Sequence, residues 1–447
     1  MTVRRKGIFA IASVAALALT IGAGSTFTPA SAANAACANV GVGYPVIKGA
    51  TVEIYTSVIQ PELQHYIDAA KDFTACTGIK INFNGTNQFE ATLPVRVKGG
   101  NAPDLALIPQ PGLITTMVNT GKAVAAPAKT ANNVNKYWSK SWKAYGTVNG
   151  KFYAAPNSAN MKSLVWYSPK QFTANGYKIP TTWDGLIALS DQMVAKGQTP
   201  WCGGLGSGGA TGWPATDWVE ETVLRLYGSK TYQDWWQHKI KFNDPKIVAA
   251  MKKIEGWLQN PKYVGDVKAI ATRTFQDAGQ AIPGGKGCMM LQQASFYATQ
   301  YPKGTDVSPT GDVWAFYLPG INPKVPTPIE GGGEFFLAFN NKTATQAVQN
   351  FLSTPQWAEA LITTYGANGG WTTANNGVPA SFYKNPFDQM VAMFLAKKDS
   401  TFAFDASDLM PAAVGAGSMW TGFTDWFGSG KSAQSVADAI EASWPSS

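Results

Sequence analysis

Histidine is nearly absent from this chain: His65 and His238 are the only two in 447 residues. His65 falls on the exposed side of an expected helix and His238 beside a basic stretch, so neither is placed as a general base. No serine stands in a Gly-x-Ser-x-Gly elbow and no His-Glu-x-x-His zinc helix occurs. The glycines of 203–209 lack the Lys-Ser/Thr that completes a phosphate loop. These absences argue against nucleophilic, metallo- and nucleotide enzymes, and no metal or other cofactor is expected. A glycosidase needs only two carboxylates, which Asp217, Glu220, Glu221, Glu334, Asp405 and Asp408 could supply, and it is the main enzymatic rival. Charge is thin as well, at 14% of residues without a basic block. The formal charge of +8 falls to +5 once Arg4, Arg5 and Lys6 are removed with the leader, so no nucleic-acid partner is expected.

Long apolar runs are missing except at the amino terminus. There Arg4, Arg5 and Lys6 precede an apolar stretch over 8–23, and Ala30-Ser31-Ala32 is a small-residue cleavage site, so residues 1–32 read as a secretory signal peptide. An acyl anchor on Cys37 would want an apolar residue upstream, where Asn34-Ala35-Ala36 stands instead. Without another run of about eighteen apolar residues, the mature chain is expected to be exported and soluble, periplasmic or at the cell surface. Cys37, Cys76, Cys202 and Cys288 are even in number and contain no closely spaced metal pair, so disulfides are expected. Three pairings are possible, of which Cys37 with Cys76 and Cys202 with Cys288 is favoured.

What is present is an α/β pattern. Val52 and Ile54 alternate with polar neighbours, Pro61 opens a helix with Leu63, Tyr66, Ile67, Ala70 and Phe73 on one face, and Gly78 stops it. Ile79, Ile81 and Phe83 alternate again, 89–98 fits a second helix, and 105–108 is a short unbroken apolar run suited to a buried strand. This predicts a parallel sheet covered on both faces. Ligands of such sheets bind beyond the carboxyl ends of the strands, which here places Tyr55, Thr56, Ser57, Asn84, Thr86, Asn87 and Gln110 around one hollow. Hydroxyls and amides of this kind suit a neutral polyhydroxylated ligand.

About 415 residues remain after the leader, enough for two lobes with a core in each. A second unit is expected to begin near Ala154-Ala155-Pro156, with a strand at 164–167 and a helix after Thr182 that turns Leu186, Leu189 and Met193 inward. The segment 201–257 reads as mostly helical, Cys288-Met289-Met290-Leu291 as a buried strand, and Gly331-Gly332-Gly333 as a break before a strand at 335–339 and a helix over 345–365 that rejoin the first lobe.

Aromatic side chains are abundant: sixteen Trp, sixteen Tyr and twenty-two Phe. Indole offers a flat apolar face with a polar edge, and a pyranose offers C–H faces and hydroxyls that match both. Trp213, within the run GATGWPATDWVEE of 209–221, is expected in a Gly/Pro-bounded loop just before a helix, has no periodic core role and is read as a stacking plate; Trp371, after Gly369-Gly370, is read likewise. Trp166, Trp183 and Trp218 are read as packing. Asp217 is read equally as a helix first-turn charge or a ligand residue.

The runs FTACTGIKI from Phe73, LPVRVKGGNAPDLALIPQPG from Leu93, SLVWYSPKQF from Ser163 followed by IPTTWDGL, ATGWPATDWVEE, CMMLQQASF from Cys288, GGGEFFLAF from Gly331 and FDASDLMPAAVG from Phe404 carry a resemblance. With them the chain resembles, over essentially all its mature length, the extracellular solute-binding proteins of ABC sugar importers, of the maltose-binding type (family 1) and most closely their α-glucoside-binding branch. The resemblance implies a type II periplasmic-binding-protein fold, two α/β lobes joined by a hinge with an interlobe ligand cleft. The cysteines of PWCGG and KGCMM look like that branch's disulfide pair. Lobe one is expected over 33–160 and 334–372, and lobe two over 161–333 and 373–447. By the same resemblance the ligand residues are Asn87, Gln88, Gln110, Asn160, Trp213, Asp217, Gln293, Glu334, Trp371, Asp405 and Asp408. The implied partners are a small carbohydrate and the permease subunits, and a monomer is expected. Relatives differ around Tyr55–Ser57, and Pro111 replaces an acidic residue used in the maltodextrin branch, so a mono- or disaccharide is expected. A module that adheres to polymers is the third reading.

Overall fold

The computed structural model describes residues 29–41, 43–325, 328–396 and 401–446. The expected leader lies outside the described residues except for 29–32, which open the helix Pro29–Val40. Fourteen strands follow among the described residues: β1 (Thr51–Thr56), β2 (Lys80–Gly85), β3 (Leu105–Ile108), β4 (Thr147–Val148), β5 (Lys151–Phe152), β6 (Ala154–Pro156), β7 (Asn160–Met161), β8 (Leu164–Tyr167), β9 (Thr199–Trp201), β10 (Cys288–Gln292), β11 (Trp314–Tyr317), β12 (Pro328–Gly332), β13 (Phe335–Ala338) and β14 (Thr401–Phe404). They form a five-stranded sheet in the order β2-β1-β3-β13-β6, a four-stranded sheet β11-β8-β10-β9, a three-stranded sheet β14-β12-β7 and the hairpin β4-β5. The fold is two-lobed and mixed α/β.

The four apolar residues of β3 show why the first sheet is covered twice. Leu105 and Leu107 join one core with Val52, Ile54 and Phe73, whereas Ala106 and Ile108 join another with Leu93, Ile114 and Phe335. Side chains alternate across a strand, so a wholly apolar one needs helices on both faces. The same split occurs in the second sheet, where Trp166 and Val165 enter different cores. Trp183 and Trp201 each meet Trp257 edge-on at 4.9 Å. Thr182 accepts the Gly185 N–H and starts the helix Trp183–Ala195, which buries Leu186, Leu189 and Met193 as its spacing predicts.

Four expectations are corrected. The sheet is not wholly parallel: β1 runs parallel to β2 and β3, but β13 runs antiparallel to β3 and β6. Phe335 pairs with both Ile108 and Pro156, so the chain leaves this sheet and re-enters it at the carboxyl end of β3, and a strand entering there must run back. For the same reason Ala154–Pro156 is an edge strand of the first sheet rather than the start of a second unit. The first helix is two short ones, Leu63–Ala69 and Lys71–Thr77, and Ile67, at the edge of their apolar stripe, is 36% exposed. The expected helix over 345–365 is likewise two, Thr343–Leu352 and Pro355–Tyr365, with Pro355 opening the second.

Both disulfides join Cys37 to Cys76 and Cys202 to Cys288, the favoured pairing. Where the chain passes between the sheets the backbones nearly touch. A Cβ on Gly331 would lie 2.4 Å from the Asn160 carbonyl oxygen, and one on Gly333 would lie 2.3 Å from that of Ser158 and 2.7 Å from the Trp142 ring. Gly333→Ala should therefore lower the unfolding free energy by about 1–3 kcal/mol, the usual cost of overpacking. Gly284→Ala, where no atom lies closer than 3.9 Å to the new carbon, should change it little; urea unfolding of both variants measures the difference.

Candidate functional site

A cavity of about 380 Å³ lies between the lobes. Its first-lobe wall comes from the loops after the parallel strands, with Ser57 beyond β1, Asn87 beyond β2 and Gln110 beyond β3, as the strand-end rule predicts. The crossing segments add Ser158, Asn160, Lys162 and Glu334. The second lobe supplies the loop of Gly206, Ser207 and Gly208, then Trp213, Phe275 and Phe296. Asp405 and Asp408 close the circuit. The two lobes touch beside the cavity, where the Gly209 N–H donates to the Asn87 carbonyl at 2.8 Å. A Cβ on Gly208, whose φ is +59°, would lie 2.5 Å from that same oxygen.

Of the residues expected to meet ligand, the structure brings Asn87, Gln110, Asn160, Trp213, Glu334, Trp371, Asp405 and Asp408 to the cavity wall. Gln88, Asp217 and Gln293 are not among the lining residues. Gln88 packs against Gly209. Asp217 is buried behind the wall as the partner of Lys162 at 2.7 Å. Gln293 is buried with its side-chain oxygen taken by the Ala294 N–H. Of the strand-end group, Tyr55 turns its hydroxyl to Thr92 and Asn84 donates to Glu53, both away from the cleft. Sequence spacing gives the face of a strand but not the partner a polar tip finds.

The second-lobe wall is aromatic. Gly212 (φ +112°) turns the chain into the helix Trp213–Trp236, which is interrupted at Gly228. That turn sets Trp213 against Phe275 at 5.1 Å and Phe296 at 6.0 Å. The Lys162 ammonium stands 5.5 Å over its ring, a cation–π contact. The first-lobe wall holds Trp371, placed by Gly369 (φ +64°) and Gly370 (φ +105°). Its indole N–H donates to the Tyr66 hydroxyl at 3.3 Å, and Tyr66 donates to Glu334 Oε2 at 2.8 Å. Asn157 and Ser158 donate to the same oxygen at 3.2 and 3.1 Å.

Between the walls lies a buried ionic network around Lys162, whose ammonium bonds both Asp217 and Asp405. Asp405 also caps the short helix Ala406–Leu409, accepting from the Asp408 N–H and the Ser407 hydroxyl at 2.8 Å each. Burial pushes its carboxyl up, but the Lys162 charge and these donors outweigh burial and hold it below its ordinary value. Asp217 is pushed up to about 7, chiefly by burial, with Lys162 opposing. Burial also raises Glu220, Glu330 and Asp408 well above the usual carboxylate range, because one ammonium cannot balance five carboxyls. Carboxylate oxygens of Asp217, Glu330 and Asp405 lie within 4.8 Å of one another, the spacing of a cation site. Lys162 already supplies the positive charge two of them share, so the donor set fits an ion network better than a metal centre.

Sequence reasoning missed Glu62, Glu90, Lys162, Phe275, Phe296 and Trp420 on the wall. Lys162 carries the one available signal, a lone lysine amid the apolar run of 159–167. Trp420, inside the helix Met419–Ser429, has helical core spacing and nothing in sequence marks it. Gln110 donates to Glu90 at 3.2 Å while its own oxygen, buried at the wall, has no partner among the described residues.

A profile of the bacterial extracellular solute-binding protein family matches residues 57–359. The chain is 34% identical over 397 residues to the osmoprotective compounds-binding protein GgtB of Synechocystis sp., covering 88% of this chain and 92% of that one. It is also 34% identical over 385 residues to the alpha-glucosides-binding periplasmic protein AglE of Rhizobium meliloti, covering 84% and 82%. Among solved structures, the solute receptor AcbH superposes with a TM-score of 0.76 at 18% identity over 88% of this chain and 98% of that one. Maltose-bound MalE3 of T. maritima gives 0.67 at 14% identity over 88% and 98%. With two lobes around one cavity, and that profile spanning most of the sequence, this chain belongs to the bacterial extracellular solute-binding protein family.

Proposed function

We propose that this chain is the exported substrate-binding protein of an ABC-type carbohydrate importer. It captures a mono- or disaccharide, an α-glucoside, in the interlobe cavity and hands it to the permease without altering a covalent bond. The observation that carries the reading is the pairing of Trp213 on one lobe with Trp371 on the other across a wall of amides and carboxyls. Indole plates take the C–H faces of a sugar, and each polar group has hydrogen-bonding capacity left for its hydroxyls. The unpartnered buried oxygen of Gln110 is a plain case: a ligand hydroxyl would supply the donor it lacks. The relative AglE, named for binding alpha-glucosides, supports that ligand class.

The ligand set of this reading is Asn87, Gln110, Asn160, Trp213, Glu334, Trp371, Asp405 and Asp408 in direct contact, with Gln88, Asp217 and Gln293 supporting the wall from behind. The reading takes 33–160 and 334–372 as lobe one and 161–333 and 373–447 as lobe two, with a monomer as the working unit. In support, β1, β2, β3, β6 and β13 all fall in the first pair of ranges, and β8, β9, β10 and β11 in the second. Ligand held by both lobes favours the closed arrangement, which is the form a permease can distinguish from the empty one. No helix among the described residues is long and apolar enough to cross a membrane, so transport requires that partner.

Calorimetry with trehalose, maltose, sucrose, palatinose and glucose should show at least one saturable binder, and Trp213→Ala should weaken it about tenfold or more, roughly 1.4 kcal/mol. Unchanged affinity in the variant would remove Trp213 from the site. The same saccharide should raise the melting temperature of the wild type by mass action. Incubation with aryl α- and β-glucosides should release no aglycone; release that Glu334→Ala or Asp405→Ala abolishes would establish a hydrolase instead.

A further inference from the structure

Two tyrosine–glutamate pairs stand side by side on the first-lobe wall. Tyr66 donates to Glu334 Oε2 at 2.8 Å, and Tyr365 donates to Glu62 Oε1 at 3.0 Å. Both glutamates line the cavity, and both tyrosines are buried beneath them. The pairs are not equivalent. Among the described residues Glu334 accepts from three side chains, Tyr66, Asn157 and Ser158, whereas Glu62 accepts from Tyr365 alone. Among the described residues no lysine or arginine other than Lys162 lines the cavity, and its ammonium is held by Asp217 and Asp405.

Two ionised carboxylates on one desolvated wall, without a cation between them, repel each other and lose hydration together. Proton retention is favoured at the one with fewer donors to stabilise its charge, which is Glu62. The titratable groups around it are Glu334 from the return into β13, Tyr365 from the helix Pro355–Tyr365, and Tyr66 and His65 from the helix Leu63–Ala69. His65 offers no compensating charge: its ring stacks on Tyr365 at 4.2 Å, and burial lowers its pKa.

We infer that Glu62 is a ligand-binding residue in its carboxylic-acid form, donating its O–H to a saccharide oxygen while the neighbouring Glu334 carboxylate accepts from a saccharide hydroxyl. The wall then offers a donor beside an acceptor, which adjacent hydroxyls of a neutral sugar satisfy, whereas a sugar carboxylate placed there would have no proton for Glu334 and would be repelled by it. This inference rests on the binding reading above and deepens it. Burial, with repulsion from Glu334, pushes the Glu62 carboxyl up to about 8, with the Tyr365 donor opposing. The sign follows directly. The binding form is the protonated one, so affinity for a neutral sugar is full below that value and falls as pH rises through it.

Two measurements test this. In the unliganded protein, infrared difference spectra between about pH 6 and pH 9.5 should show the C=O stretch of a protonated carboxyl disappearing with a midpoint near 8 in the wild type, and that component should be missing from Glu62→Gln. Identical spectra for the two proteins would overturn the inference. Calorimetry with maltose and trehalose should show wild-type affinity falling about tenfold or more between pH 7 and pH 9.5. Glu62→Gln, which keeps a donor but has no proton to lose, should bind a few-fold more weakly at pH 7 and with no fall. Binding with a flat wild-type profile overturns this inference alone, whereas no binding by either sugar or the three others at any pH overturns the importer reading with it. Should Glu62→Gln fail to fold, Tyr365→Phe serves in its place: loss of the Tyr365 donor should move the infrared midpoint upward, and an unmoved midpoint overturns the inference.

Discussion

The structure depends on one steric constraint, the close approach of backbones where the chain crosses between its two sheets. The chain leaves the first sheet after Pro156 and returns at Phe335, and these two residues pair with each other. Outgoing and returning segments therefore run side by side, and Gly331 and Gly333 are the places where a Cβ would strike the carbonyl of Asn160 or Ser158. Glycine there is required by contact distance rather than by an unusual dihedral angle, since neither residue has positive φ. Because the crossing lies at the carboxyl end of β3, it carries Ser158, Asn160, Lys162 and Glu334 into the same hollow that the strand-end loops line. Hinge and cavity wall are thus made from the same few residues.

The electrostatics of the cavity follow from that economy. One ammonium, that of Lys162, serves four buried carboxyls and the half-buried Asp408, and the structure distributes the remaining cost by hydrogen bonding. Glu220 accepts from the Ala406 and Ser407 N–H groups and from Tyr232, and Asp405 accepts from its own helix start. Glu330, buried in β12 with neither oxygen partnered among the described residues, has no such donor, and burial pushes its carboxyl well above the usual range, with the Lys162 charge opposing. On the opposite wall, Glu62 and Glu334 divide the same problem between a poorly and a well hydrogen-bonded site. A cavity built this way is polar without being uniformly anionic, which suits uncharged hydroxyl-rich ligands.

The tryptophans divide along the same line between core and cavity. Trp166, Trp183, Trp201 and Trp257 sit within strands and helices or pack against them, and none exceeds 5% exposure. Trp213 and Trp371 instead follow glycines with φ of +112° and +105°, which turn the ring out of the element's periodic face toward the cleft. Trp371 is itself only 3% exposed, so it is a cavity wall rather than a surface plate. Its indole N–H is fixed through Tyr66 to Glu334, which couples the orientation of an apolar platform to a charged group.

Sequence alone determined what depends on short-range periodicity and local turn chemistry. The parallel β1–β3 unit, the helix begun by Thr182, the core roles of Trp166 and Trp183, and the glycine turns that precede Trp213 and Trp371 are all set by residues within about one turn or one strand of each other. The two disulfides were favoured among three pairings, but closure of each pair is a tertiary fact. Only the folded structure decided the antiparallel return of β13, the membership of Ala154–Pro156 in the first sheet, and the diversion of Tyr55, Asn84, Asp217 and Gln293 from the cleft. It also brought Glu62, Lys162 and Trp420 to the wall, residues a hundred or more positions apart. The physical reason is the same in each case. A polar tip points to whichever donor or acceptor lies within about 3 Å, and that partner comes from a distant segment whose position no local pattern encodes.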